Sequence, residues 1–231
     1  HEFVKINFLV IINQYKHNMN KIKLSGIYPI SPNYINSDDE YLEKCFIAIT
    51  SGINIFQFRS PFISSRKKRY LLNEIYKYCL NNNVQLVINN DYSIARSYEG
   101  AGVHIGKRDL SIKSIKNIIG SKTLIGYSCG SEVINLKHLR ENGISYYSIG
   151  ALFKSSTKTN TERLSTDTIK KYKSCNDLPM CIIGGLNKNN IDSVIEYQPD
   201  MIAISNGIFG QEKEKIQDSI KMFQEKMNAK N

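Results

Sequence analysis

The sequence lacks several patterns that would assign it to a specialised class of protein. Its five cysteines are widely spaced and include no C-x-x-C pair, which argues against a zinc cluster or a secreted disulfide framework. The apolar run from Ile6 to Ile12 is too short to cross a membrane, and no A-x-A-like cleavage site follows it. No low-complexity block and no linker rich in proline, glycine or serine divides the chain. We therefore expect a single domain in a reducing, cytoplasmic setting.

Acidic residues are scarce relative to basic ones. The chain of 231 residues has 31 Lys+Arg against 21 Asp+Glu, a formal net charge of +10. Such an excess favours an anionic partner, such as a phosphate ester, a nucleic acid or an acidic surface. The alternative is a lysine-rich surface without a specific target. With 41% hydrophobic residues, a chain of this length can bury a core without metal or disulfide support.

Short apolar runs alternate with stretches of helical spacing. The runs are continuous rather than alternating, which is typical of parallel strands buried on both faces. Eight such strands joined by helices indicate an α/β fold, a single (β/α)8 TIM barrel, with a doubly wound open sheet as the alternative. The predicted strands are Leu24–Ile30, Asn54–Phe58, Gln85–Ile88, Gly102–Ile105, Thr123–Tyr127, Tyr146–Ile149, Met180–Ile183 and Met201–Ile204.

Helix signals fall between these strands. Ser64 and Ser131 are candidate N-caps, and Gly143 is a candidate helix stop. The residues after Gln211 predict an amphipathic helix with Ile216, Ile220 and Phe223 on one face. Met19 precedes the first strand, so we expect residues 1–18 to be an extension outside the fold and residues 19–231 to form the barrel. The other predicted helices are Asp38–Thr50, Ser64–Leu80, Tyr92–Tyr98, Ser131–Asn142 and Asn187–Tyr197.

Polar residues follow the strands at the edge where a parallel barrel carries its chemistry. Asp91 and Asp109 come after neighbouring strands, with Asn90 beside the first of them. Two carboxylates together with substrate phosphate oxygens are the ligands that Mg²⁺ prefers. The competing interpretation is that both aspartates cap helices.

Two further groups of residues suit anion binding. Gly184-Gly185 and Ser205–Gly207 each precede a helix after strands seven and eight, where barrels often bind phosphate through backbone N–H groups. The run Ser155–Lys158 combines hydroxyls with a cation and suits a second anionic group, or else forms a solvated polar loop.

Covalent catalysis finds no support in the sequence. Ser128 and Cys129 have no local histidine partner, and His104 lies inside a strand, which favours a packed barrel residue over a catalytic base. The basic cluster from Arg66 to Arg69 carries no interleaved aromatic residues, so we interpret it as a solvated helix face and not as a nucleic-acid site.

Six motifs follow one another in order along the chain, namely Gln57-Phe58-Arg59, Ile88–Asp91, Gly102–Gly106 with Asp109, Ile125–Cys129, Phe153–Lys158 and Ile183–Leu186. This ordered set resembles the thiamine-phosphate synthase (thiamine-phosphate pyrophosphorylase) family from about Leu24 to Gly210. The resemblance implies a (β/α)8 barrel and a transferase that joins hydroxymethylpyrimidine diphosphate to thiazole phosphate with Mg²⁺, releasing pyrophosphate. It implies a dissociative reaction, in which pyrophosphate leaves before the thiazole nitrogen attacks.

The resemblance also implies a role for particular residues. Asp91 and Asp109 would hold Mg²⁺. The pyrimidine diphosphate would contact Gln57, Arg59, Asn90, Ser128 and Lys158. The thiazole phosphate would contact Ser155, Ser156, Thr157, Gly184, Gly185, Ile204 and Ser205. The implied partners are small phosphorylated molecules, with neither nucleic acid nor membrane, and the chain could form a homo-oligomer.

Three positions depart from the family pattern. Pro61 stands where the family usually has a lysine, Tyr92 replaces a frequent arginine, and Gly130 replaces a larger residue. The missing lysine keeps two alternatives open, namely a thiazole tautomerase-like protein and a non-catalytic ligand-binding relative of the same barrel.

Overall fold

Eight strands alternate with helices along the part of the chain that the structure describes. This computed structural model describes residues 23–34, 37–131, 134–153, 164–175 and 178–229. The strands are β1 Gly26–Pro29, β2 Ile55–Phe58, β3 Gln85–Asn89, β4 Gly102–Gly106, β5 Ile125–Gly130, β6 Tyr146–Ile149, β7 Met180–Ile183 and β8 Met201–Ile204. The α-helices within these ranges are α1 Asp38–Ile49, α2 Ser65–Asn81, α3 Tyr92–Ala95, α4 Ile112–Ile119, α5 Leu136–Glu141, α6 Thr166–Cys175, α7 Ile191–Ile195, α8 Asn206–Phe209 and α9 Ile216–Asn228.

The strands form a barrel and not an open sheet. Every ladder is parallel, consecutive strands pair from β2 to β8, and β8 then pairs with β1. The remaining seam between β1 and β2 is bridged at Ile30 and Gln57, where the Ser31 N–H donates to the Gln57 carbonyl at 2.8 Å. The predicted (β/α)8 barrel is therefore confirmed, and the doubly wound alternative is wrong because β1 lies beside β8.

Apolar side chains fill two layers. Tyr28, Ile55, Val87, Tyr146 and Met201 pack together in one buried cluster contributed by strands around the barrel. A second, larger cluster joins strand residues to the helices that surround them. The predicted apolar face of α9 belongs to this layer, since all three of its predicted residues are fully buried: Ile216, Ile220 and Phe223.

Two of the predicted helix signals are confirmed. The Ser64 hydroxyl accepts a hydrogen bond from the Lys67 N–H and caps α2. Gly143 follows α5 with a φ of 75°, a left-handed conformation that glycine adopts without steric cost.

The predicted cap at Ser131 is wrong. Strand β5 continues through Gly130, beyond the predicted end at Tyr127, so Ser131 directly follows a strand. The helix begins only at Leu136, where the Asn135 side chain accepts from the His138 N–H at 3.1 Å. The polar and small residues Ser128–Gly130 predict a loop, whereas their pairing with β6 keeps them in the strand. Helices α3 and α7 are likewise shorter than predicted.

Some predictions lie outside the described residues. These include the extension at residues 1–18 and the polar loop that contains Ser155, Ser156, Thr157 and Lys158. Within the described ranges, no helix combines the length and apolar character needed to span a membrane.

Candidate active site

A large pocket opens at the carboxyl ends of the strands, with a volume of about 1100 Å³. This volume lies at the upper end of the range for small-molecule pockets. The pocket brings together all the predicted site residues that the structure describes: Gln57, Arg59, Asn90, Asp91, Asp109, Ser128, Gly184, Gly185, Ile204 and Ser205. Strand direction explains this convergence, because parallel strands of a closed barrel all end at the same face.

The Asp109 carboxylate is held by neighbours on two strand ends. The Gly106 N–H donates to Asp109 Oδ2 at 2.7 Å, and Asn90 Nδ2 donates to both carboxylate oxygens at 3.1 and 3.2 Å. Asp109 does not cap the following helix, since the Ser111 side chain accepts from the first turn of α4. The helix-capping interpretation is therefore wrong for Asp109.

Asp91 has a different environment. It occupies the N-cap position of α3, but its side chain makes no capping hydrogen bond. Instead, Asp91 Oδ2 lies 2.7 Å from Lys68 Nζ, and Ser93 Oγ donates to Oδ1 at 3.3 Å. The carboxylate is thus paired with a cation inside the pocket.

This ion pair corrects the interpretation of the basic cluster at Arg66–Arg69. Lys68 is not on a solvated face: its side chain is only 18% exposed and lines the pocket. Lys67 pairs with Asp38 of α1, whereas Arg66 and Arg69 are exposed. Lys68 is absent from the predicted site because helical spacing alone does not show which residue of a charged run turns toward the barrel mouth.

A buried polar network lies at the floor of the pocket. Gln57 Nε2 donates to the Tyr28 hydroxyl at 2.8 Å, which lies 2.8 Å from the Tyr146 hydroxyl. His104 Nδ1 lies 2.9 Å from the Tyr146 hydroxyl, and His104 Nε2 lies 3.3 Å from Ser148 Oγ. Burial raises the pKa of both tyrosines, so their hydroxyls stay protonated at neutral pH.

The network refines the interpretation of His104. The residue is packed inside the barrel, as predicted, yet it also lines the pocket. The tyrosines Tyr28 and Tyr146 were missed, because in the sequence they look like ordinary apolar strand residues. Only the closed barrel places their hydroxyls together.

Arg59 enters the pocket from the end of β2. Its backbone is fixed by Ser31, whose hydroxyl accepts from the Arg59 N–H at 2.8 Å and donates to the Arg59 carbonyl at 3.1 Å. Partial burial lowers the pKa of the guanidinium, which nevertheless remains charged at neutral pH because arginine titrates far above it. The site therefore carries a partly desolvated cation on a backbone that Ser31 holds in place.

The glycine loop after β7 adopts a conformation that other residues rarely reach. Gly184 and Gly185 have φ values of 112° and 64°, and a Cβ at Gly184 would approach the Ala151 Cβ to 2.5 Å. Asn187 and Asn190, both absent from the predicted site, donate side-chain hydrogen bonds to the Gly185 carbonyl. These bonds hold the loop backbone in place where it lines the pocket.

Ser205 and Ile204 complete this side of the pocket. Ile204 is buried at the end of β8, and Ser205 precedes α8 without capping it. The Ser205 hydroxyl donates to the Ser31 carbonyl at 3.4 Å, which ties the end of β8 to that of β1.

Cys129 is unsuited to nucleophilic catalysis. The residue is 2% exposed, and burial raises the pKa of its thiol to about 12, so the reactive thiolate is scarce at neutral pH. This environment agrees with the expectation that the chemistry depends on positioning and charge and not on covalent attack.

Comparison with known proteins identifies the family. The family model described as thiamine monophosphate synthase matches residues 27–208. The chain belongs to this family. Thiamine monophosphate synthase relatives include the thiamine-phosphate synthase of Clostridium tetani, 32% identical over 71% of this chain and 78% of that protein. That of Nitrosomonas eutropha is 27% identical over 83% of this chain and 90% of that protein.

A solved structure supports the same fold. The thiamine phosphate pyrophosphorylase of Pyrococcus furiosus superposes with a TM-score of 0.75 at 18% identity, covering 90% of this chain and 98% of that one. The predicted thiamine monophosphate synthase family, its barrel and its transferase class are confirmed. None of the relatives described here supports the tautomerase alternative.

Proposed function

We propose that this pocket couples 4-amino-2-methyl-5-hydroxymethylpyrimidine diphosphate to 4-methyl-5-(2-phosphooxyethyl)thiazole, giving thiamine phosphate and pyrophosphate. The observation that carries the proposal is the convergence, in one pocket, of an arginine, two carboxylates and a glycine loop. One substrate must lose an anionic group and the other must bring one. Arg59 and the two carboxylates suit the first substrate, and the glycine loop suits the second.

Gln57 and Arg59 serve the pyrimidine diphosphate in this proposal. Gln57 uses one amide N–H on the Tyr28 hydroxyl, and in this proposal its carboxamide oxygen accepts a hydrogen bond from the pyrimidine amino group. Arg59 presents a planar set of donors that suits diphosphate oxygens. Asn90, Ser128 and Lys158 complete the predicted set, with Lys158 outside the described residues.

The donor chemistry of Asp91 and Asp109 fits Mg²⁺, since two carboxylates with diphosphate oxygens form the hard oxygen site that this cation prefers. When bound, Mg²⁺ would supply positive charge that stabilises the leaving diphosphate. Asn90 and the Gly106 N–H hold the Asp109 carboxylate in position for this task. No general base is required of the protein.

The glycine loop and Ser205 serve the thiazole phosphate. At Gly184 and Gly185 the absence of side chains lets the backbone approach a phosphate closely. Ile204 supplies an apolar wall beside them. Ser155, Ser156 and Thr157 stay predicted contributors from outside the described residues. The protein's role is then to hold the thiazole nitrogen against the reacting carbon.

The decisive experiment is incubation of the purified chain with both substrates and Mg²⁺. Thiamine phosphate is followed by fluorescence after oxidation to the thiochrome form. We expect product only when both substrates are present. Bound substrates without product would contradict the proposal and favour a non-catalytic ligand-binding relative. A cytoplasmic location stays a prediction.

A further inference from the structure

Lys68 is a cation in the pocket that the sequence motifs do not account for. It lies in the first turn of α2, and its Nζ is 2.7 Å from Asp91 Oδ2. The two side chains are 18% and 22% exposed, so the pair is largely shielded from water. The sequence pattern predicts a solvated helix face for Lys68, so its position in the pocket requires another explanation.

The placement of α2 explains how Lys68 reaches the site. This helix begins shortly after β2 ends, so its first turn lies at the mouth of the barrel. Lys68 lines the same pocket as Arg59 and Pro61. It therefore supplies an ammonium group to the pocket that Pro61 also lines without contributing a charge.

The chemistry of the ion pair suits an exchange of partners. A lysine ammonium has three N–H donors, so a bond to Asp91 leaves two for other oxygens. The carboxylate of Asp91 is also the group that the proposed function assigns to Mg²⁺. Before substrate arrives, Lys68 neutralises this carboxylate, and a diphosphate brought in with its cation offers Lys68 new anionic partners.

We propose that Lys68 is a diphosphate-binding residue of this chain, holding Asp91 in the free protein and donating to diphosphate oxygens in the substrate complex. This inference rests on the proposed function for the identity of the substrate. It assigns to an α2 side chain the positive charge that Pro61 cannot supply. The exchange makes and breaks hydrogen bonds only.

The test compares Lys68→Met, which keeps the alkyl stem, with Lys67→Met as the matched control. Lys67 is the neighbouring lysine, pairs with Asp38 and does not line the pocket. Inorganic pyrophosphate binding is measured by calorimetry, with and without Mg²⁺. We expect Lys68→Met to raise the Kd for pyrophosphate by about 10- to 100-fold in both conditions, with Lys67→Met close to the parent.

Steady-state kinetics provide an independent readout. Lys68→Met should raise KM for the pyrimidine diphosphate and leave KM for the thiazole phosphate unchanged. Lys68→Arg should retain part of the affinity because it restores a cation. Adding Pro61→Lys to Lys68→Met should recover pyrophosphate binding by supplying an ammonium from the β2 side.

The outcomes separate a binding role from a structural one. If Lys68 only positions Asp91, binding without Mg²⁺ would not change, and that result would overturn the inference. Parent-like binding by Lys68→Met, or no pyrophosphate binding by the parent, would also overturn it. Lys68-dependent binding in a parent that makes no thiamine phosphate would instead contradict the proposed function alone. Circular dichroism of each variant verifies folding. If Lys68→Met misfolds, Lys68→Gln replaces it, because it also removes the charge, and the same increase in the Kd for pyrophosphate is expected.

Discussion

Asn90 Nδ2 lies 3.1 and 3.2 Å from the two carboxylate oxygens of Asp109, joining the neighbouring ends of β3 and β4. Asn90 has a φ of 59°, in the left-handed region that asparagine tolerates better than most residues. The strained backbone thus places an amide group where it orients a carboxylate. The relationship gives Asn90 a positioning role in addition to its predicted substrate contact.

Replacing Asn90 with glycine should test the contribution of its side-chain amide. Glycine keeps the left-handed backbone and removes the amide, so we expect Asn90→Gly to fold and to lose about tenfold in kcat/KM. Asn90→Ala should be less stable, because it loses the same bond and also strains the backbone. Urea unfolding and steady-state kinetics check the two effects. Equal activity of Asn90→Gly and the parent would contradict the role.

Removing either proposed metal ligand should abolish most activity. We expect Asp91→Ala and Asp109→Ala to lower kcat by about 100-fold or more, because the charge that stabilises the leaving diphosphate is lost. KM for the thiazole phosphate should change little. Asp38→Ala removes an aspartate that pairs with Lys67, away from the pocket, and serves as the charge-matched control. Activity that persists in EDTA would argue against the metal assignment.

A methyl group at Gly185 should affect one substrate only. We expect Gly185→Ala to raise KM for the thiazole phosphate and to leave KM for the diphosphate nearly unchanged, because the added Cβ obstructs backbone approach. Gly52→Ala controls for backbone strain, since Gly52 has a φ of 75° outside the pocket. Equal effects on both substrates would show that the loop is structural.

Restoring a lysine at position 61 should strengthen the diphosphate site. A charge-assisted hydrogen bond contributes roughly 1.5–3 kcal/mol, so Pro61→Lys should raise kcat/KM for the diphosphate by about tenfold. Lys107→Ala and Arg108→Ala should lower it, because both residues line the pocket beside Asp109. Parent-like kinetics in all three variants would show that cations at these positions do not assist the diphosphate.

Alkaline pH should destabilise the fold through Cys129. The thiol of the unfolded chain has its ordinary pKa of 9.0, whereas burial raises the pKa in the folded protein to about 12. Stability from this group is therefore complete below pH 9 and is lost as the pH rises from 9 toward 12. Between pH 8 and 10 the parent should lose about 1 kcal/mol more unfolding free energy than Cys129→Ala. Urea unfolding at both pH values measures the difference, and identical losses would contradict it.

The sequence by itself determined the barrel and most of the candidate site. Continuous apolar runs such as Met201–Ile204 marked strands buried on both faces, and their regular alternation with helices implied parallel order. Because the carboxyl ends of such strands meet, residues as distant in sequence as Asp91 and Ser205 could be assigned to one pocket. These features depend on local periodicity and on topology, both of which are readable along the chain.

Only the tertiary structure decided which side chains meet. Lys68 looked like any member of a solvated basic run until the packing of α2 brought it to Asp91. Tyr28 and Tyr146 resembled core residues until barrel closure set their hydroxyls 2.8 Å apart. Sequence patterns fix which face of a strand or helix is apolar, whereas a contact between distant side chains depends on how those elements pack. The polar network and the ion pair are consequences of that packing.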